Sequence, residues 1–426
     1  MILEKVQLFS SKKEFFFFLL ACLFILSYSL LIEYNNFSNL TRFDSQIVTT
    51  KVLKQYTKTK LTKKDTIKTY QVLKLKSPQG FSFYTAVNKS TQNILEKVVT
   101  LEIWAGDINF YEYMSSFYAY SKIIQIDSSK SLKYKLNSFI DSIHEDKNIS
   151  SIYKALYSAT PLNKELQETF STLGISHILA ISGFHLALLA SILFIIFKLP
   201  YKFLQNRYFP YRSYKVDSFI FISITLLVYL IFLDLPPSLL RAYAMLIIGF
   251  ILYDRAYKII SMQTLLLSII ILLAFFPRLL FALGFWFSIA GVFYIFLFLL
   301  HFKNLHKGWQ FILVPIWVYL LMLPYSLVIF SSFSVLHPLS ILWTMLFTLF
   351  YPLSIFLHLV GFGKVFDTLL MELIALGQTN ANVSFDSYYL WGYILLSLLS
   401  VRLKYLTFVL IIFSIFMAVE AIYQVT

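Results

Sequence analysis

Charged side chains are scarce in this sequence of 426 residues. Asp, Glu, Lys and Arg together make up 14% of it, whereas soluble domains carry about 25%. Three long segments contain none of these residues: 218–233, 259–277 and 310–360. A bilayer core about 30 Å thick requires about 20 apolar residues per helix, and the chain supplies that length repeatedly. The scarcity of charge excludes a water-soluble globule and predicts a polytopic α-helical membrane protein.

Several motifs that carry chemistry are also missing. The single cysteine, Cys22, lies within an apolar run, so neither an intrachain disulfide nor a cysteine-based metal site is expected. The seven histidines contain no His-x-His-x-Asp-His cluster, which removes the ligands of a zinc nuclease of that type. The sequence also lacks a Gly-x-x-x-x-Gly-Lys-Ser/Thr loop, so it provides no such ATP site. We therefore predict no catalytic residue, no cofactor and no metal.

The distribution of apolar and polar residues divides the chain into four predicted domains. Residues 1–36 contain an apolar run after three lysines and no small-x-small cleavage site, which predicts an uncleaved signal-anchor helix. Residues 37–130 are rich in short β-type stretches. Residues 131–175 become helical without enough continuous apolar length to span a bilayer. Residues 176–426 form the predicted multi-helix membrane domain.

Residues 37–130 are predicted to form a small β domain inserted after the first helix. The β-type stretches are 47–53, 69–75, 81–87 and 98–104. Turn signals such as Ser77-Pro78-Gln79-Gly80 separate them. About five short strands suit a small β-barrel of the OB type, a common scaffold for single-stranded nucleic acid. The strand count alone does not distinguish an OB-like domain from other small β folds.

This predicted domain is strongly basic. Residues 37–100 contain twelve lysines and arginines but three acids, a net charge of +9. The charge predicts attraction of a polyanion, and nearby aromatic rings are available for base stacking. A solvated basic face that meets anionic lipid headgroups is the alternative. The candidate DNA-binding lysines are Lys51, Lys54, Lys58, Lys60, Lys63, Lys64, Lys68, Lys74 and Lys76, and the candidate stacking residues are Tyr56, Tyr70, Phe81, Phe83 and Tyr84.

Loop charge predicts the orientation in the membrane. The loop 198–216 carries five lysines and arginines and no acid, and short basic loops stay in the cytoplasm. This places the N-terminus in the cytoplasm and residues 37–175 outside. Segment 365–377 is about 13 residues long and fits a half-helix or an interfacial helix better than a full span. The predicted spans after the connector lie near 176–197, 217–234, 238–253, 259–276, 281–300, 310–330, 338–360, 387–401 and 405–422.

Four ordered segments carry a family resemblance. The first, 166–189, reads LQETFSTLGISHILAISGFHLALL, and the second is a proline followed by Arg-Ala-x-x-Met within 237–245. The third combines Phe276-Pro277 with Gly-Phe-Trp-Phe-Ser at 284–288. The fourth and weakest joins Leu323-Pro324 to Ser-Val-Leu-His-Pro-Leu at 334–339. In this order, the segments resemble the ComEC-type competence family, membrane channels for DNA uptake. An N-terminal helix followed by a small β domain also matches that family's layout.

The resemblance implies which polar residues line or shape a hydrophilic path. The sequence departs from the family pattern in several places. The family's Gly-Asp before the first motif is replaced here by Ser-Ala-Thr at 158–160, its Asp by Phe276 and its Gln-Leu by Trp286-Phe287. Many members carry a C-terminal metallo-β-lactamase-like domain, which this sequence does not show. The implied path residues are His177, Ser182, Gly183, His185, Arg241, Gly284 and Ser288.

These residues also have purely structural interpretations. On a straight helix Ser182 and His185 would share a face, with His177 about two turns away. The Ser182-Gly183 pair within this apolar segment allows either close helix packing or a break in the helix. The three polar residues would line a path, or serve as hydrogen-bonding contacts between packed helices. An arginine within hydrocarbon costs at least ~2.5–3.5 kcal/mol unless it faces water or a partner. Arg241 is therefore expected near the outer surface, where it would meet incoming phosphates or reach the headgroups.

The sequence thus predicts a multi-pass protein of the bacterial inner membrane that passes single-stranded DNA into the cytoplasm during natural transformation. Its predicted partners are single-stranded DNA, membrane lipids, a separate cytoplasmic ATP-driven motor and a separate nuclease. Assembly as a homo-oligomer stays open. One rival is a polytopic envelope-glycan transferase or polymerase that uses a histidine and Arg241 at the outer face. A second is a small-solute permease, which would not need a basic external domain.

Overall fold

The computed structural model describes residues 9, 11–61, 67–127, 132–254, 261–377 and 381–425. These residues form two compact units. The N-terminal unit comprises residues 11–142 and 270–283. The bundle unit comprises the described residues of 143–269 and 284–426.

The N-terminal unit contains the first helix and a six-stranded sheet. Its elements are α1 (Lys12–Thr41), β1 (Gln46–Leu61), β2 (Ile67–Lys76), β3 (Ser82–Val87), β4 (Val98–Trp104), α2 (Phe110–Ser115), β5 (Phe117–Tyr118), β6 (Tyr120–Ile126) and α3 (Leu132–Ile143). Strands β1 to β4 overlap the four predicted β-type stretches, because alternation of apolar and polar residues locates a strand and divides its residues between two faces. Strands β5 and β6 have no counterpart among the predicted stretches. A 3₁₀ turn at Pro277–Phe281 completes the unit.

Helix α1 begins at an N-cap serine and extends past the predicted apolar run. The Ser11 side chain accepts a hydrogen bond from the backbone N–H of Glu14 at 3.2 Å, the usual way to satisfy a free N–H group at a helix start. With 30 residues the helix is about 45 Å long. Most of its apolar side chains are exposed, whereas Leu40 near its end is buried in the core of the β domain. The helix is therefore long enough to span a bilayer and continue into the domain that follows.

The sheet has the strand order β5-β3-β2-β1-β4-β6. Strand β1 pairs antiparallel with both β2 and β4, whereas β3 pairs parallel with β5. A bulge between Val52 and Lys54 shifts the register of β1 against β2. The prediction of a small β domain is confirmed, with six strands in place of about five.

Alternate residues of the strands fill one aromatic-rich core. Phe81 and Phe83 are completely buried, and Phe83 stacks on Phe117 with 5.5 Å between ring centroids. The prediction that Phe81 and Phe83 are available for base stacking is therefore wrong. Their rings point to the inner side of the sheet, because residues two apart share a face and this face is the covered one.

An arginine joins the 3₁₀ turn to the rest of the N-terminal unit. The Arg278 guanidinium donates from Nε and Nη2 to the two carboxylate oxygens of Glu33, each at 2.7 Å. Its Nη1 donates to the backbone carbonyl of Tyr113 at 3.0 Å, and it lies 4.5 Å from the Tyr113 ring centroid. Burial raises the pKa of Tyr113 to about 12. Such a two-pronged pair fixes orientation as well as distance.

The bundle unit consists of connector helices followed by long apolar helices. The connector comprises α4 (Lys147–Ser158), α5 (Lys164–Thr172) and α6 (Ser176–Leu179). The later elements are α7 (Gly183–Tyr208), α8 (Tyr214–Phe232), α9 (Pro237–Asp254), α10 (Met262–Phe275), α11 (Leu283–His301), α12 (Lys307–Phe330), β7 (Ser332–Phe333), α13 (Ser340–Leu359), α14 (Asp367–Leu376), β8 (Ala381–Asn382), α15 (Ser387–Ser400) and α16 (Tyr405–Val425). The last turns of α10 belong to the N-terminal unit.

Eight helices among the described residues are long and apolar enough to cross a membrane, counting α1 and a span that runs from His337 to Leu359. The chain is therefore a multi-pass membrane protein, as its composition predicted. The shorter helices α10 and α15, of 14 residues each, occupy two further predicted spans. Helix α14 has 10 residues and is about 15 Å long, in agreement with the expected short helix in 365–377. It packs on α4 and α5.

Candidate nucleic-acid interface

A row of lysine and tyrosine side chains crosses the outer face of the β domain. Lys54 of β1 pairs with Lys74 of β2, Lys74 pairs with Tyr84 of β3, and Tyr84 pairs with Tyr118 of β5. Residues that are directly opposite on neighbouring strands lie on the same face of a sheet. Since Leu73 fills the core, its neighbour Lys74 points outward, and so does the whole set. We call Lys54, Lys74, Tyr84 and Tyr118 the Lys–Tyr row.

The members of the row interact with one another. The Lys74 ammonium lies 5.3 Å from the ring centroid of Tyr84, within the range of a cation–π contact. Partial burial, and secondarily the charge of Lys74, lowers the pKa of Lys54. Tyr118 is 50% exposed and meets Tyr120, 73% exposed, edge to face at 5.6 Å. Positive charge and accessible rings thus occur together, which is the combination that binds single-stranded nucleic acid.

Further candidate lysines lie on the same face. Because the β1 bulge inserts one residue, Lys51 and Lys54 both face outward although they are three positions apart. Lys51 pairs with Lys76, and Lys58 pairs with Tyr70. Burial raises the pKa of Tyr56, and the neighbouring hydroxyls of Tyr84 and Tyr70 contribute to that rise. The loop lysines Lys63 and Lys64 lie outside the described residues, as do the side chains of Lys60 and Lys68.

The predicted Ser-Gly-x-His segment is a helix start, not the middle of a straight helix. Ser182 is the N-cap of α7, and its hydroxyl accepts from the backbone N–H of Phe184 at 3.3 Å. The backbone N–H of Ser182 in turn donates to Nδ1 of His185 at 3.2 Å. Of the two arrangements that the Ser-Gly pair allows, the structure therefore shows the break, and these caps satisfy the free backbone groups there. His177 belongs to the separate short helix α6, where its Nε2 lies 3.3 Å from the Thr344 hydroxyl.

Three of the resemblance segments meet at Arg241. Its Nε donates to the Ser288 hydroxyl at 2.8 Å, and its Nη1 lies 2.9 Å from the sulfur of Met245. A Cβ added to Gly183 would lie 3.1 Å from Nη2 of Arg241, so the glycine provides the space that the guanidinium fills. We call Gly183, Arg241 and Ser288 the arginine cluster. Gly284 does not take part, since a Cβ there would meet open space.

Arg241 is buried at 4% exposure. Its guanidinium is held between helices and does not extend to the headgroups, whereas the expectation that it meets incoming phosphates stays a prediction. Among the described residues it has no carboxylate within ion-pair distance. Among these residues its guanidinium is thus contacted by a hydroxyl and a sulfur only.

A histidine of the fourth segment packs on a glycine of the first. Gly174 has φ of +72°, and a Cβ there would lie 2.6 Å from Cε1 of His337. Nδ1 of His337 lies 3.0 Å from the Tyr319 hydroxyl. Sequence reasoning quoted both residues in motifs but assigned neither a role. The segments therefore specify packing between distant parts of the chain as well as polar groups.

The fold and this face define a class of protein: a multi-pass membrane protein that also carries a basic, aromatic-lined β domain. A family model described as Competence protein matches residues 159–422. The chain belongs to the Competence protein family. Searches of curated proteins and of solved structures each found no match. Membership indicates a role in DNA uptake during transformation, and members are generally components of uptake rather than enzymes.

Proposed function

We propose that this protein is a channel subunit of the bacterial inner membrane that passes single-stranded DNA into the cytoplasm during natural transformation. The Lys–Tyr row, on a β domain of a Competence-family chain, is the observation that carries this proposal. Lysines attract the phosphate backbone, and tyrosine rings stack on unpaired bases without regard to sequence. The β domain would capture the strand outside, and the helical bundle would provide its path inward.

The strand connections support an OB-type barrel. Strands β5 and β6 are separated only by Ala119, whose backbone N–H donates to the carbonyl of Tyr84 at 3.0 Å. This one segment pairs with β3 at its start and with β4 over its remainder. The hydroxyls of Thr85 and Ser121 are also only 2.8 Å apart. Both edges of the sheet are thus covered by a continuous segment, as closure into a barrel requires.

The arginine cluster supports a path for phosphates through the bundle. Helices α7 and α11 begin at or just before members of the cluster, Gly183 and Ser288, and α9 begins one turn before Arg241. The N-terminal ends of helices carry partial positive charge. An unneutralised guanidinium beside these ends is costly in hydrocarbon but suits a polyanion that passes. We propose that Arg241, with Ser288, contacts the backbone of the strand, and that His177, Ser182 and His185 shape the adjoining path.

The first test is a deletion strain in which DNA is followed into two compartments separately. We expect labelled DNA to reach the outer compartment and to fail to arrive in the cytoplasm. Restoring the wild-type gene should restore arrival, whereas Arg241→Gln should not. Normal cytoplasmic arrival without the protein would contradict the proposal. Altered surface polysaccharide with unchanged DNA uptake would favour the transferase instead.

The proposed orientation places the N-terminus in the cytoplasm and residues 37–175 outside. The DNA motor and the nuclease that removes the second strand would be separate proteins. Reporter fusions at Gly361 and Asn382 test the orientation on either side of α14. Reporters active on opposite sides of the membrane would show that the short helix crosses.

A further inference from the structure

Three ionisable side chains meet in a buried chain of contacts in the bundle unit. His144 precedes α4, His358 lies near the end of α13, and Asp367 begins α14. His144 lies 3.0 Å through Nδ1 from Oδ2 of Asp367, and 3.0 Å through Nε2 from Nε2 of His358. Nδ1 of His358 lies 2.7 Å from the backbone carbonyl of Ser354. We call His144, His358 and Asp367 the His–His–Asp triad.

The positions of the protons follow from which atoms accept. A carbonyl oxygen only accepts, so His358 carries its proton on Nδ1 and leaves Nε2 as an acceptor. A neutral His144 has one proton to give. If that proton is on Nε2, its Nδ1 faces an ionised carboxylate, and two acceptors are then 3.0 Å apart. If it is on Nδ1, the two Nε2 atoms face each other as acceptors at the same distance.

One added cation, either a proton or a metal ion, placed between the two facing acceptors removes their repulsion. Both histidines are buried, and burial makes two facing lone pairs costly. The 3.0 Å separation of the two Nε2 atoms is a normal length for a hydrogen bond between nitrogens. Among the parts of the chain that the structure describes, no group of three or more His, Cys, Asp or Glu side chains could hold a metal ion. A proton therefore fits the gap better than a metal.

We propose that the His–His–Asp triad binds one proton beyond those of two neutral imidazoles, and that this proton holds the connector to α13 and α14. The three groups together are then electrically neutral, and each contact has a donor and an acceptor. When the proton leaves, one contact becomes repulsive and the connector separates from these helices. We call this proton-dependent contact between the connector and helices α13 and α14 the latch. Its residues are distinct from the arginine cluster and from the Lys–Tyr row, so the latch does not depend on the proposed path of DNA.

The groups around the triad do not supply the missing charge. On α4, Tyr153 stacks on His144 with 4.5 Å between ring centroids, and Tyr157 donates to the Ser354 hydroxyl at 2.9 Å. Burial raises the pKa of both tyrosines, so their hydroxyls stay protonated.

Two exposed charges next to the triad in sequence, Glu145 and Lys364, are paired at 2.6 Å. The hydrogen bond to Lys364 lowers the pKa of Glu145, and the same bond raises that of Lys364, whose charge is also favoured by nearby Asp367. These two charges neutralise each other. Oδ1 of Asp367 has no hydrogen-bond partner among the described residues, which makes His144 the only group that hydrogen-bonds its carboxylate.

Distances between two spin labels test the latch in the full-length protein. Cys22 is first replaced by alanine, and Lys147→Cys on α4 and Val365→Cys before α14 then carry the labels at exposed positions. Distances are measured in lipid nanodiscs at about pH 6 and about pH 9, on either side of the ordinary histidine pKa of about 6.5. We expect one short distance at the lower pH and loss of that population at the higher pH.

Asp367→Asn is the decisive variant. An asparagine amide donates to Nδ1 of His144, which frees the His144 proton for His358 and satisfies every contact without an extra proton. We expect the short distance at both pH values. Glu145→Gln, the matched loss of a neighbouring exposed carboxylate, should leave the pH response intact.

Two results would overturn the proposal. Equal distances at both pH values with the wild-type triad would show that no proton controls the contact. Loss of the short distance on adding EDTA at about pH 6, with recovery on adding Zn²⁺, would show that a metal and not a proton occupies the gap. Size-exclusion chromatography checks that the Asp367→Asn variant remains in the folded fraction. If it does, its label distances report on the latch.

Discussion

Replacing two lysines of the Lys–Tyr row should change how strongly salt weakens DNA binding. For single strands, log K falls with log salt concentration by about 0.7 for each phosphate that is neutralised. Five described lysines lie on this face, so the wild-type slope should not exceed about 3.5 in magnitude if only they contribute. They are Lys51, Lys54, Lys58, Lys74 and Lys76.

The double variant Lys54→Gln with Lys74→Gln removes two of these charges. Its slope should be smaller in magnitude by about 1.4, and its affinity should be about 25-fold lower at about 0.1 M salt. The two proteins should converge near 1 M, where little electrostatic attraction is left. The assay is fluorescence anisotropy of a labelled thymidine oligonucleotide with full-length protein in nanodiscs across a salt series.

Lys122→Gln is the matched control. Lys122 lies on β6 directly opposite the acidic Glu102, which weakens the attraction of a phosphate to this position, and its loss should shift the slope by less than the loss of one lysine of the row. Superimposed lines for the wild type and the double variant, with neither slope nor affinity changed, would refute the reasoning, since they would mean that neither lysine contacts a phosphate. A uniform loss of affinity at every salt concentration would indicate damage to the domain.

Four further outcomes are expected. Tyr118→Leu should weaken binding of the same oligonucleotide by about 1–3 kcal/mol at all salt concentrations, because stacking and not charge is removed. Gly174→Ala should destabilise the bundle by at least about 1–2 kcal/mol, since it combines a left-handed backbone with a clash against His337. Gly284→Ala should leave the unfolding midpoint unchanged or raise it, because a Cβ there meets open space. The folded-state pKa of Lys54 is lowered, so the folded domain binds fewer protons than the unfolded chain in the alkaline range. Its thermal stability should therefore rise with pH there, and Lys54→Met should remove that rise.

The strands could be predicted from sequence, but the faces of the sheet only in part. Alternation locates a strand and divides its residues between two faces, yet it does not say which face is covered. The set of candidate stacking rings therefore contains both Tyr84, which lies on the outer side of the sheet, and Phe81 and Phe83, which lie on the inner side. The bulge is a second reason. It brings Lys51 and Lys54 to one face, although residues three positions apart on a regular strand lie on opposite faces.

In the bundle, the motifs contain several residues that contact one another in the structure, but the sequence did not predict these contacts. The Ser182-Gly183 pair indicated either a break or close helix packing, and the sequence did not distinguish the two because the surrounding apolar run continues on both sides. Arg241 bonds to Ser288, 47 positions away, a contact that no local pattern specifies. His144 belongs to no motif, and its partners lie 214 and 223 positions further on. Only the tertiary structure brings the triad together.

The short span of the Lys–Tyr row limits how many nucleotides it can bind at once. Four neighbouring β-strands extend over about 14 Å, at about 4.8 Å per step. At the ~3.4 Å spacing of stacked nucleotides, that width covers about four of them, the lower end of site sizes for OB folds. A grip this short gives rapid dissociation, and neighbouring lysines can rebind the next phosphates before the strand diffuses away. The proposed external domain would therefore bind the strand briefly and repeatedly, and would not retain bound DNA.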